Sequence, residues 1–208
     1  MNLKVKIKQY GFKNSLIRAI KYLLRRIAGV QYESFYLMVN HIDPKVLKHQ
    51  IEQYDYSDVK ELTYEDFTQG DHTVFTPAKM QLIKSRFETG KYWAYGVFIN
   101  NELAYSTWIS FNKLNINGLE YDNYKLNNNQ AILEDSHCHQ NYRGRGLHTK
   151  MNYYRLKKIN EMGFDEVIVI ALKENKPAIK VQLKSGFKKN KTIRLLKVGP
   201  WKYISEIK

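Results

Sequence analysis

Disulfide chemistry is the first thing missing from this chain, which has one cysteine, Cys138, in 208 residues. A lone thiol excludes an internal disulfide framework and a cysteine-built metal site, and it favours the cytoplasm as compartment. Long apolar runs are missing too: none approaches the ~20 residues that cross a bilayer. The amino-terminus has no apolar core followed by small residues, so no cleaved signal is read there. No internal repeat is present. Low complexity is confined to Asn127-Asn128-Asn129. The basic residues come with no RNA-binding aromatic pair and no zinc knuckle, so nucleic acid is not an expected partner.

Acid is absent from one end of the chain. Residues 1–32 carry eight Lys/Arg and no Asp/Glu. Residues 33–137 carry nine basic and fifteen acidic residues, and residues 138–208 seventeen and five. The net charge of +14 is therefore uneven along the sequence. A basic C-terminal part suits a ligand bearing several phosphates, and an acidic middle suits a substrate arriving as an ammonium ion. Solvated lysines coating helix faces give the same counts. The apolar fraction is that of an ordinary globular protein, and the length fits one main core.

The densest local signal is Gln140-Asn-Tyr-Arg143-Gly144-Arg145-Gly146-Leu147-His148. It follows a strand-like run, Gln130 to His137, and opens into a helix-like run, Leu147 to Met162. A strand, a Gly-rich turn and a helix in that order build an anion site. The glycines allow close approach, and the first-turn N–H groups point at the ligand. Two arginines add fork-shaped positive charge suited to phosphate. The loop lacks the Gly-Lys-Ser/Thr ending of a triphosphate loop and one glycine of the dinucleotide fingerprint. Alone, it fits a pyrophosphate cradle or a solvated turn.

Downstream, Glu166 to Leu172 is a continuous β-branched run that reads as a strand buried on both faces. Asn175 stands where a helix cap belongs, with Pro177 in the first turn and Gly186 at the stop. Together these motifs resemble the GCN5-related N-acetyltransferases (GNAT), whose pyrophosphate loop reads Arg/Gln-x-x-Gly-x-Gly/Ala. That frame falls on Arg143, Gly144, Arg145, Gly146, Leu147 and His148. The family's later Asn, small residue, Lys-x-Gly-Phe falls on Asn175, Ala178, Lys184, Gly186 and Phe187. The resemblance is strongest over residues 130–190.

Two departures stand out. His148 replaces the final Gly/Ala of the loop, where an imidazole is bulkier but can donate to phosphate. Gln182 stands where many members carry a Tyr that protonates the leaving thiolate.

The resemblance implies an α/β (α+β) fold. It has a mixed, mostly antiparallel sheet flanked by helices, with parallel central strands splayed around acyl-CoA. It also implies acetyl-CoA as cosubstrate, no metal, and transfer of acetyl to a primary amine by direct attack. Cys138 and His139 would lie in the cofactor site, and a backbone N–H near Cys138 would polarise the thioester. Residues 33–208 form the acyltransferase domain in this reading and residues 1–32 a basic amphipathic extension. Base candidates are Glu134 first, then Asp135 or His137. A carboxylate there that only holds the backbone or positions the amine is the alternative. Strict alternation puts Glu134, Ser136 and Cys138 on one face and Asp135, His137 and His139 on the other. The acceptor is left open among a small-molecule amine and a lipid- or sugar-linked one, in a monomer or homodimer. The alternative from another class is a non-catalytic GNAT-like acyl-CoA-binding or membrane-docking protein.

In the extension, Leu16, Ile17, Ala19, Ile20, Leu23, Leu24 and Ile27 share one side of a helix, opposite Arg18, Lys21, Arg25 and Arg26. Asn14 or Ser15 is the expected cap. The pattern over residues 14–28 fits an interfacial helix on an anionic membrane, peripheral at its inner face, or a helix packed on its own domain or a second subunit. Between the two ends, the expected elements are an extended run at Glu33–Asn40, a turn at Asp43-Pro44 and a strand at Val59–Thr63. A helix capped by Thr63 with Asp66 at its third position follows. Beyond it come a helix from Pro77 to Glu88 stopped at Gly90, and a hairpin turning at Asn100-Asn101. Asn112 to Asn129 reads as a loop or a weak strand pair.

Overall fold

The computed structural model describes residues 12–116, 119–120 and 124–207. The expectations for residues 1–11, and for 117–118 and 121–123 within the Asn-rich stretch, lie outside the described residues. In chain order the elements are α1 (Phe12–Ala28), β1 (Val30–His41), α2 (Pro44–Ile51), β2 (Val59–Glu61), α3 (Tyr64–Thr68), α4 (Pro77–Thr89), β3 (Tyr92–Ile99) and β4 (Glu102–Ser110). Then come β5 (Asn115–Ile116), β6 (Leu119–Glu120), β7 (Gln130–Cys138), a 3₁₀ turn (Gln140–Tyr142), α5 (Leu147–Glu161), β8 (Glu166–Leu172), α6 (Lys176–Lys184), β9 (Lys188–Val198) and β10 (Trp201–Ile207). The architecture is the expected mixed α/β one, with a mixed, mostly antiparallel sheet flanked by helices. The chain divides into a central unit, Asn40–Val169, and a terminal unit, up to Val39 and from Ile170 on.

In the central unit the strand order is β8-β7-β4-β3-β2. The β2–β3, β3–β4 and β4–β7 pairs are antiparallel and β7–β8 is parallel. The β3–β4 hairpin turns at Asn100 (φ 52°) and Asn101 (φ 62°), the doubly left-handed turn that matches strand twist and that asparagine tolerates. Thr63 and Asp66 form the reciprocal cap expected at α3. Thr76 caps α4, Pro77 opens it, and Gly90 ends it at φ 64°.

One face of this sheet is sealed by α3 and α4. Phe67 stacks on Trp108 at 5.3 Å and 10°, and Phe75 meets Phe67 edge-on. Leu62, Ile83, Ala94 and Leu103 complete that core. Helix α5 lies against the face that carries Tyr105. It buries Met151, Leu156 and Ile159 at helical spacing, and Arg155 with them.

The terminal unit holds α1, α6 and the antiparallel order β10-β9-β1. Phe35, Leu37, Ile193 and Leu195 form its buried face. Helix α6 starts at the Asn175 cap and is followed by Gly186 at φ 86°.

Three expectations need correction. Asp43-Pro44 is not only a turn. The Asp43 side chain accepts from the Lys45 and Val46 N–H groups and starts α2, which is too short for its periodicity to stand out. Helix α1 begins at Phe12, so Asn14 and Ser15 lie inside it rather than capping it. The alternation expected along β7 fails at Asp135, where the backbone is left-handed (φ 46°). Trp108 pairs with Glu134 but Ser106 pairs with His137, so Thr107 faces two residues and β7 bulges.

Gly96 sits where the sheet is tightest. A Cβ there would lie 2.6 Å from the Tyr105 carbonyl oxygen and 2.7 Å from a Leu62 methyl. Gly96→Ala is therefore expected to destabilise the protein by about 1–3 kcal/mol. A urea midpoint equal to wild type would show that the strands give way freely.

Candidate functional site

The site grows from the β7 bulge and the loop after it. Pairing between β7 and β8 covers Gln130↔Glu166 to Leu133↔Val169. Pairing with β4 runs from Ile132 to Cys138 and so continues past the point where the β8 register ends. This is where the candidate bases stand.

The bulge turns Glu134 and Asp135 toward the same helix. Arg86 on α4 reaches Glu134 Oε2 at 3.3 Å and Asp135 Oδ2 at 2.8 Å, and Lys79 also binds Asp135. Lys79 and Arg86 are seven residues apart, two turns of one helix face. Arg86 is held over the Trp108 ring at 5.0 Å and the Tyr92 ring at 5.4 Å. Neither cation was picked out from sequence. The i, i+7 spacing of the pair on a legible helix was the available signal, but their target depends on a bulge that is not legible.

The two carboxylates differ in character. Burial raises Glu134 to about 7, against the opposing pull of Arg86, and the Asp135 charge raises it further. Its Oε1 is buried with no hydrogen-bond partner. Burial would also raise Asp135, but Lys79 and Arg86 together hold it below the usual carboxylate range. Asp135 is thus a committed ion-pair partner, while Glu134 can change charge near neutral pH.

His137 packs edge-on against Phe75 at 5.7 Å. Burial, then the charges of Arg143 and His139, lower it to about 4, so it is neutral at pH 7. Its Nε2 is buried without a partner. Ser136 turns the other way and shares a 2.7 Å hydrogen bond with Thr107. So Glu134, Asp135 and His137 share contacts with the α3–α4 side, contrary to the alternation that grouped Glu134 with Ser136 and Cys138.

The loop is built from its own hydrogen bonds. Burial raises the Cys138 thiol, and the Cys138 carbonyl accepts from Arg143 Nε at 3.1 Å. The His139 N–H donates to the Ala104 carbonyl at 2.9 Å, so that amide is committed to the sheet. His139 is buried, accepts from the Asn141 N–H at 3.4 Å, and lies 3.4 Å from Glu102. Gly144 and Gly146 have φ of 82° and 78°, which L-residues adopt only with strain. Gly146 offers no side chain to cap α5, so no capping side chain satisfies the helix's first-turn N–H groups. Arg145 stacks on Tyr142 at 5.1 Å and donates to the Asn141 carbonyl at 3.4 Å. Leu147 is buried and contributes backbone only.

His148 turns inward rather than toward the loop's open side. Its ring lies 6.0 Å from Tyr105, its Nε2 has no partner, and burial with nearby Arg155 lowers it to about 4. Arg155 donates to the Trp108 carbonyl at 3.2 Å and to Asn152. Burial lowers Arg155 to about 10 and raises Tyr105 to about 12.

Asn175, Ala178 and Lys184 belong to the terminal unit. The Asn175 side chain accepts from the Ala178 N–H at 3.4 Å, so its oxygen serves as helix cap. Lys184 is exposed, and Gln182 is buried.

No family model matches the chain, and no curated protein matches it. Solved structures do. An acetyltransferase of the GNAT family from Novosphingobium aromaticivorans, described as putative, superposes with a TM-score of 0.57 at 16% identity, over 82% of this chain and 68% of that one. A GNAT-family acetyltransferase from Colwellia psychrerythraea gives 0.55 at 17% identity, over 81% and 57%. A GCN5-related N-acetyltransferase-like protein from Streptococcus suis gives 0.56 at 13% identity, over 88% and 66%. The chain thus spans between 57% and 68% of the length of these three. Identities this low speak for architecture: the chain has the fold of the GCN5-related N-acetyltransferases.

Proposed function

We propose that the protein transfers an acetyl group from acetyl-CoA to a primary amine. The observation that carries the reading is Glu134. It is a carboxylate raised to about 7, with one buried oxygen unpartnered, on β7 just past the end of its pairing with β8. The fold and the Gly-Arg loop supply the context.

The loop amides at the α5 N-terminus, with Arg143 and Arg145, bind the pyrophosphate. The pantetheine arm lies along the free edge of β7 and adds to it like a strand. The amine nitrogen then attacks the thioester carbonyl. A C–N bond forms, the C–S bond breaks, and the sulfur leaves with its electron pair. Glu134 takes the proton released from the amine, directly or through water. An alkylammonium near ~10 stands about 3 units above Glu134, a cost of about 4 kcal/mol that a carboxylate at its ordinary value would roughly double. Burial of Glu134 is thus what fits it to the task, and the ion pair of Asp135 unfits that residue. Gln182 carries no acidic proton, so coenzyme A leaves as a thiolate in this scheme.

The rival reading is an acyl-CoA-binding protein without turnover, favoured by Gln182 and by the arginines already engaged within the loop. Thiol release from acetyl-CoA against a panel of primary amines separates the two. Under our reading, kcat/KM rises through a pH of about 7 as Glu134 loses its proton. Glu134→Gln lowers kcat by about 10²–10⁴-fold with the acetyl-CoA KM nearly unchanged. Saturable binding with no release for any amine would establish the rival. Arg145→Gln is expected to weaken acetyl-CoA binding about tenfold in calorimetry, the worth of one charge-assisted hydrogen bond. An unchanged Kd would remove Arg145 from the phosphate site.

A further inference from the structure

Helix α1 is mounted the wrong way round for a core helix. Its polar side faces the terminal unit: Ser15 is buried, and Lys21 reaches Glu174 at 2.5 Å and Glu33 at 3.6 Å. Its apolar side faces out. Phe12, Leu16, Ile20, Leu23, Leu24 and Ile27 are all exposed, Ile27 by 81%. At 100° per residue these six fall within about 120° of arc. An exposed face this wide marks an interaction surface, since single exposed apolar residues need no explanation but a contiguous stripe does.

A second apolar row lies in the same unit. The β1–β9–β10 register aligns Tyr32 with Leu196 and Tyr203, and Val30 with Val198 and Trp201. Trp201 is 81% exposed and Tyr203 66%. The Gly199 N–H approaches the Gly29 carbonyl at 3.5 Å, so the end of α1 and the β9–β10 turn meet. Ile27 and Trp201 stand two residues from that contact on either side.

Charge selects the occupant. By sequence, residues 1–39 and 170–208 hold 19 Lys/Arg against three acids, while residues 40–169 hold 15 against 17. The net positive charge of the molecule therefore resides in the unit that bears the apolar face. A second copy would bring like charges together. An anionic lipid surface neutralises them and accepts the apolar side chains between its headgroups. Trp and Tyr suit that depth, with an apolar body and a polar edge. No helix among the described residues is long and apolar enough to cross a bilayer, so the contact is interfacial.

We propose that the protein docks on anionic membranes through the apolar face of α1, with Trp201 and Tyr203 beside it. The proposal stands independently of acetyl transfer. Its test is co-sedimentation of the full chain with phosphatidylcholine vesicles and with equimolar phosphatidylcholine/phosphatidylglycerol vesicles. Sedimentation is expected with the anionic vesicles and weakly or not at all with the neutral ones. Ile20→Ser combined with Leu23→Ser lowers partitioning at least about tenfold. Both positions are exposed, so the circular dichroism spectrum and Tm of the variant stay those of wild type. No sedimentation with anionic vesicles overturns the proposal. So does a double variant that sediments like wild type, which would reduce the effect to non-specific charge. A dimer in light scattering that the double variant converts to monomer, without vesicle binding, overturns it in favour of a second copy.

Discussion

One irregularity in one strand organises the central unit. At Asp135 the backbone of β7 goes left-handed, and beyond Leu133 its parallel register with β8 has ended. A non-glycine residue in that conformation costs about 1–2 kcal/mol and persists only if its surroundings fix it. Here Lys79 and Arg86 fix it, by binding the Asp135 carboxylate from α4. That helix is held in turn by the Thr76 cap and by Ile83 in the aromatic core around Trp108. The consequence is chemical. The same arginine that locks Asp135 touches Glu134 more weakly, and burial leaves Glu134 near neutrality. Two adjacent carboxylates thereby acquire different roles from their environments, one structural and one titratable.

Much of this was legible in the sequence where the signal is local. The Thr63–Asp66 cap, the Asn100-Asn101 turn, the Gly90 stop and the Asn175 cap each depend on residues within a few positions, and each lies where the local chemistry puts it. The Gly144 and Gly146 conformations follow for the same reason. What could not be read depends on distant partners. A bulge at an aspartate has no sequence mark, because the energy that keeps it comes from Lys79, 56 residues away, and Arg86. The inward turn of His148 depends on space beside Tyr105. The mounting of α1 was equally hidden. Periodicity reveals an apolar stripe but not which way it points, and the ion pairs of Lys21 decide that.

Charge counted along the sequence also misled in part. A basic C-terminal stretch, read along the sequence, suggests a field for phosphates. Counted by unit, the excess lies in the terminal unit, which carries α1, α6 and the β9–β10 hairpin, while the unit containing the Gly-Arg loop is nearly balanced. In the proposed function, phosphate binding at the loop would rest on backbone N–H groups and two specific arginines rather than on a broad field. The broad field belongs to the terminal unit, the one proposed to dock on membranes.

Past Leu133 the β8 register of β7 has ended, and in the proposed reaction a bound acyl-CoA takes up that backbone edge. Amide hydrogen exchange across Glu134–Cys138, with and without acetyl-CoA, tests it most directly. The account predicts that the amides not turned toward β4 exchange quickly in the free protein and become protected when acetyl-CoA is added. Strong protection in the free protein, or exchange that acetyl-CoA leaves unchanged, would contradict it.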